Sequence, residues 1–196
     1  KAYDKALAIN PKLNYAWIGK GIALSELGKY EEAIKAYKQA IDINRSDAFA
    51  FIYLGELFFK LCDLENAYIQ ANEALTINEN LVPALSLKGR IEIEEKNYDA
   101  ACASFKKAIS LNMVNPILII WNSYAKYLNL EFSSESKNKK YQEELISIIR
   151  NLEKADTLCK TNYGKEIRSY ILYFLGIFYL KSNDIVAAKE KLEECI

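Results

Sequence analysis

The chain has 196 residues, 51% of them apolar, and its 26 basic side chains balance 26 acidic ones for a formal net charge of zero. That apolar content supports a buried core and is too high for a disordered chain. The missing basic excess argues against a nucleic-acid coat or a membrane-surface protein. The absence of histidine removes His-based acid–base work, Ser-His and Cys-His nucleophile pairs and His-containing metal sites.

Residues 1–13 carry an alanine-rich amphipathic stretch that stops at Asn10-Pro11. Proline cannot continue a helix and disfavours helical geometry in the residue before it. In residues 14–47 the spacing predicts two helices. The first carries Trp17, Leu24 and Leu27, with Ala16 and Gly21 on the same side. Gly28-Lys29 interrupts it, since glycine takes the left-handed conformation that ends a helix. The second runs from Tyr30 to about Ile43, with Ala33, Ile34, Tyr37, Ala40 and Ile41 on one stripe. Glu31 and Glu32 in its first turn and Lys38 near its end suit the helix dipole.

Residues 48–81 and 82–115 repeat this plan. Gly21, Gly55 and Gly89 recur at one constant interval, and the same interval separates Ala33, Ala67 and Ala101, and Ala6, Ala40, Ala74 and Ala108. Gly176, Ala188 and Cys195 follow Gly89, Ala101 and Ala108 at one common offset, two such periods plus an insertion of about 19 residues. Residues 116–168 therefore read as one enlarged, irregular unit. Pro116 opens a helix with Ile117, Ile120, Trp121, Tyr124 and Leu128 on one side, 131–140 is a polar loop, and 141–160 is a long helix. Thr161 to Lys165 form the next turn. The insertion reads either as neutral loop variation or as a local feature that shapes a partner contact. Residues 169–196 match the opening part of a final unit, so the chain is expected to be a piece of a longer array.

Small side chains at fixed places in each unit have a packing reason. Gly21, Gly55 and Gly89 are expected to face Ala33, Ala67 and Ala101 across the helix pair. Ala40, Ala74 and Ala108 are expected to admit the first helix of the next unit, with Gly176 and Ala188 in matching places at the end. Cys62, Cys102, Cys159 and Cys195 contain no CxxC pair and read as reduced, apolar fillers, which suggests a reducing, cytoplasmic location. The longest apolar run, Tyr170 to Leu180, is far shorter than the stretch of about 20 residues that a membrane span needs. Glu92, Glu94 and Glu95 read as a solvated face. No catalytic, metal or cofactor site is expected.

The pattern resembles the tetratricopeptide repeat. Trp17, Gly21, Tyr30, Ala33, Tyr37 and Ala40 match its signature places in the first full unit. Phe51, Leu54, Gly55, Ala67 and Ala74 match in the second, and Leu85, Gly89, Tyr98, Ala101, Phe105 and Ala108 in the third. Lys20 and Lys88 depart from a usually aliphatic place, and only Pro11 keeps the terminal proline. The resemblance implies an all-α fold, an α–α superhelix of stacked helix-turn-helix repeats with a concave face. It places the second, fifth, ninth and twelfth residues of each unit on that face: Tyr15, Ile18, Ile22 and Ser25; Phe49, Ile52, Glu56 and Phe59; Pro83, Ser86, Arg90 and Ile93. Ile117, Ile120, Tyr124 and Tyr127, then Tyr170, Tyr173, Ile177 and Leu180, continue the lane.

The implied function is a non-catalytic protein–protein interaction scaffold that holds an extended or helical segment of a protein partner, or a peptide, in an apolar lane. Three other readings compete with it. One is self-assembly through end surfaces at Ala2, Tyr3 and Ala6 and at Leu192 and Cys195. Another is a regulatory module of a larger protein. The third, an RNA-binding helical repeat, is disfavoured by the neutral charge, and neither nucleic acid nor membrane is the expected partner. The carboxylate clamp of chaperone-binding relatives is not expected either, because Ile18, Ile22, Tyr53, Pro83 and Leu87 occupy its places and donate no charged hydrogen bond.

Overall fold

The computed structural model describes residues 2–112, 115–132, 139–162 and 165–195. Among them are eleven helices and no strand: α1 (Ala2–Ile9), α2 (Asn14–Glu26), α3 (Tyr30–Ile43), α4 (Ala48–Lys60), α5 (Leu64–Ile77), α6 (Val82–Glu94), α7 (Tyr98–Leu111), α8 (Pro116–Phe132), α9 (Lys139–Asn162), α10 (Lys165–Lys181) and α11 (Ile185–Glu194). The fold is all-α, built of helical hairpins whose first helices begin at Asn14, Ala48, Val82 and Pro116, in step with the glycine and alanine period. The chain divides into two compact units, Lys1–Glu95 and Lys96–Ile196.

Four of the hairpin turns share one feature. Gly28, Cys62, Lys96 and Asn183 stand at the same place in their repeats and all have positive φ, between 59° and 73°. This left-handed residue lets the next N–H reach back five residues: Lys29 N to Leu24 O, Asp63 N to Phe58 O and Asp184 N to Tyr179 O, each 2.9 Å. The following helix is then capped where the sequence supplies an acceptor. Asp63, Asn97 and Asp184 accept from the backbone N–H of Asn66, Ala100 and Ala187. Lys29 stands at that place before α3 and makes no such bond.

In the first unit three small cores succeed one another. Ile18, Ala33, Tyr37, Ala40, Ala50, Leu54 and Leu57 join α2, α3 and α4. Ala48, Ile52, Ala74 and Ala84 form the second, and Ala67, Ala71, Leu87 and Ile91 the third. Asn14 donates its side-chain N–H to the Asp47 carboxylate, tying the start of α2 to the cap of α4.

The glycines are covered by residues beyond the expected alanines. A Cβ on Gly21 would lie 2.5 Å from Cε1 of Tyr37. One on Gly176 would lie 2.5 Å from Cγ of Leu192, which stands at the matching place. The residue one turn beyond the alanine reaches back to cover the glycine. At Gly55 that place is taken by Ala71, and Leu87 fills in instead: its Cδ2 would lie 2.9 Å from the added Cβ, with the Ala67 carbonyl at 3.4 Å. Ala33, Ala40, Ala67, Ala74, Ala101, Ala108 and Ala188 are all fully buried, and Gly89 is buried.

The second unit has one large core, in which Leu145, Ile148, Leu152, Ala155 and Cys159 of α9 meet Ile171, Leu175 and Phe178 of α10. Arg168 links three helices: Nε lies 2.8 Å from buried Asp156 on α9 and Nη2 lies 2.6 Å from Glu194 on α11. Burial pushes the Cys102 and Cys159 thiols up, and all four cysteines are free. Three expectations change here and at the end of the first unit. Thr161 and Asn162 belong to α9 rather than to a turn. Of the expected loop 131–140, residues 131–132 belong to α8 and 139–140 to α9, while 133–138 lie outside the described residues, as do Tyr163 and Gly164. Glu92 is buried, whereas Glu94 and Glu95 are exposed. No helix among the described residues is long and apolar enough to cross a membrane.

Candidate protein-binding clefts

A helix packed on two sides leaves only a narrow stripe to solvent, and the stripe sorts the predicted lane. In the first unit Tyr15 and Phe49 are exposed, at 80% and 49%. Ile22, Ser25, Glu56, Phe59, Ser86 and Arg90 are half-buried, and Pro83 is exposed. Ile18, Ile52 and Ile93 are 5–6% exposed and belong to the interior. Ile18 and Ile52 sit one turn beyond Tyr15 and Phe49, where the stripe already turns under the neighbouring helices.

Ile22, Ser25, Glu56, Phe59 and Arg90 line a cleft of about 620 Å³. Its wall is a ring pair from two different repeats: Tyr37 of α3 and Tyr53 of α4 stack with centroids 6.2 Å apart and planes 10° from parallel. Burial, with help from Tyr53 and Glu26, pushes the Tyr37 hydroxyl up to about 12. Opposite stands Arg90 of α6. Its Nη1 donates to both Glu56 oxygens, at 2.8 and 3.0 Å, and its guanidinium carbon lies 4.4 Å from the Phe59 ring centre. Each such partly exposed contact is worth up to about 1 kcal/mol. Glu26 and Lys60 complete the rim.

Position counting missed Tyr37, Tyr53, Glu26 and Lys60. The signal that finds the ring pair is a second constant offset, just under half a repeat, that runs from a second helix to the first helix of the next hairpin. Tyr3 and Gly19, Tyr37 and Tyr53, and Ala71 and Leu87 all share it. A Cβ on Gly19 would collide with the Tyr3 ring, and Ala71 and Leu87 share a core. Large meets small at the first and third pairs. At the second, two large rings meet and Tyr53 is pressed outward, 37% exposed.

The second unit carries a cleft of a different character. It measures about 500 Å³ and is lined by Ile117, Ile120, Trp121, Tyr124, Ile167, Tyr170 and Phe174, with no charged side chain. Trp121 is fixed from behind by Phe105, which precedes it by that same offset, with centroids 6.4 Å apart and planes 9° from parallel. Tyr124 then meets Phe174 at 5.7 Å. Of the predicted lane, Tyr124 is half-buried in this cleft, and Tyr173 and Tyr170 are exposed on α10. Among the described residues no group of three or more Cys, Asp or Glu is placed to hold a metal.

Comparison with known proteins agrees with this architecture. A TPR repeat family model matches residues 21–61, and a tetratricopeptide repeat model matches 82–112. The BBSome complex member BBS4 of Xenopus tropicalis is 30% identical over 93 residues, 47% of this chain and 18% of that protein. The TPR repeat-containing protein MJ0940 of Methanocaldococcus jannaschii is 34% identical over 85 residues, 43% of this chain and 26% of that protein. The chain thus spans about a quarter or less of these relatives. Among solved structures, YrrB, described as a TPR protein with an unusual peptide-binding site, superposes with a TM-score of 0.67 at 17% identity, covering 100% of this chain and 91% of its own. Yeast Tom70 superposes with a TM-score of 0.74 at 19% identity, covering 98% of this chain and 38% of its own. The constant repeat period, the hairpin geometry and these matches together show that the chain carries tetratricopeptide repeats.

Proposed function

We propose that the chain is a non-catalytic protein-interaction scaffold that seats segments of partner proteins in the clefts of its first-helix faces. The observation that carries this reading is the chemistry of the two clefts. Each exposes tyrosine beside aliphatic and aromatic side chains that neighbouring helices already hold in place. Rigid, partly exposed aromatics bind at low entropic cost and are the residues on which interface energy concentrates. The four free cysteines, of which Cys102 and Cys159 are buried, fit a reducing, cytoplasmic setting. Affinity capture with the chain, compared with a Tyr53→Ser/Tyr170→Ser variant of unchanged helicity, tests the reading. Partners retained by the chain and lost by the variant support it; an identical set of partners from both contradicts it.

A further inference from the structure

The cleft of the first unit holds four charged side chains, and three of them are already engaged. Arg90 and Glu56 are paired at 2.8 Å. The Lys60 ammonium lies over the Tyr30 ring, 5.1 Å from its centre. Glu26, on the rim at the end of α2, forms no ion pair among the described residues. The neighbouring lysines are committed elsewhere, Lys20 to Asp4 at 2.8 Å and Lys29 to Glu32 at 3.3 Å. Glu26 is therefore the charged side chain of the cleft lining that has neither an ion-pair nor a ring partner among the described residues, and it lines the same cleft as the stacked rings of Tyr37 and Tyr53.

The same cleft shows what such a pair accepts. At its other end a carboxylate (Glu56) and an aromatic face (Phe59) together hold a guanidinium, supplied by Arg90 of the chain itself. A cation gains from the carboxylate by Coulomb attraction and from the ring by its quadrupole. Glu26 and Tyr53 line the same cleft and bring a carboxylate and an aromatic ring to it with no lysine or arginine paired to either among the described residues. Glu26 is also, after burial and Tyr53, among the groups that push the Tyr37 hydroxyl up.

From this charge complementarity we propose that the protein segment seated in the first-unit cleft carries a lysine or arginine that meets Glu26 over Tyr53, next to an apolar anchor. The proposal rests on the reading of the cleft as a partner site and adds the chemistry of the occupant. It differs from capture of an acidic chain end, for which the cleft would need an uncommitted base.

Selection of a phage-displayed random peptide library on the whole chain tests it. The expected result is enrichment of peptides with a basic residue beside an aliphatic or aromatic one. Their binding should be lost in Tyr53→Ser, should weaken about 3- to 10-fold in Glu26→Gln, and should weaken as salt is raised. Glu26→Lys should turn the selection towards acidic peptides. Glu26 is exposed at a helix end, so both variants keep the fold. Peptides that depend on Tyr53 but are acidic or neutral, or that ignore Glu26→Gln, overturn the proposal and leave the cleft reading standing. Failure to recover any peptide sensitive to Tyr53→Ser overturns both.

Discussion

Tyr37 and Tyr53 come from successive repeats and lie with their rings nearly parallel, at a centroid distance of 6.2 Å. One ring is core and the other is half surface. The contact is thus at once a joint between repeats and a wall of the first-unit cleft.

Replacing the two rings should therefore have unequal costs. Tyr37→Ala empties a site that is 2% exposed and should cost about 3–5 kcal/mol, as for other buried aromatics. Tyr53→Ala should cost about 1 kcal/mol, because much of its ring is already in water. A double-mutant cycle measured by denaturant unfolding should give a coupling of about 0.5–1.5 kcal/mol. Additive costs would show that the stack does not join the repeats.

At Gly55 the neighbour that must yield is Leu87 of the next repeat rather than the partner alanine. Gly55→Leu should overpack the site at a cost of about 1–3 kcal/mol. Adding Leu87→Ala should recover part of that loss. If the double variant is as unstable as the sum of the single ones, the glycine is not there to admit Leu87.

Stability should fall at both ends of the pH scale. Lys191 and Arg168 hold the Glu194 carboxyl below its usual value of 4.5. A depressed folded value stabilises the protein above the unfolded one, so this contribution is lost as pH falls from about 4.5 through the lower folded value. Arg168→Gln should shrink that acid loss. The Tyr37 hydroxyl is raised from 10.0 to about 12, and its contribution is full below pH 10 and lost between about 10 and 12. Thermal melts across pH should show both limbs, with the alkaline one reduced in Tyr37→Phe.

Much of this architecture was legible in the sequence, for a physical reason. Glycine and alanine recur where two helix axes come close, so spacing alone reveals the hairpins. Of the left-handed turn residues only Gly28 is a glycine, so the Cys62, Lys96 and Asn183 turns were less visible. The sites were harder. Counting places within a repeat names Tyr15 and Ile18 alike, although the first is exposed and the second buried, because burial depends on which neighbour covers each side. The ring pair of Tyr37 and Tyr53 belongs to two repeats and emerges only from comparing one with the next. Glu92 sits in an acidic run that resembles a wet surface, yet its helix turns it inward.

Site-specific photocross-linking tests the central claim most directly. A photoreactive phenylalanine analogue is placed at Tyr53, at Tyr170, and at Gln39, an exposed place on the second helix α3. The account predicts cross-links to partner proteins from Tyr53 and Tyr170 and none from Gln39. Partners joined through Gln39, with both clefts silent, would contradict it.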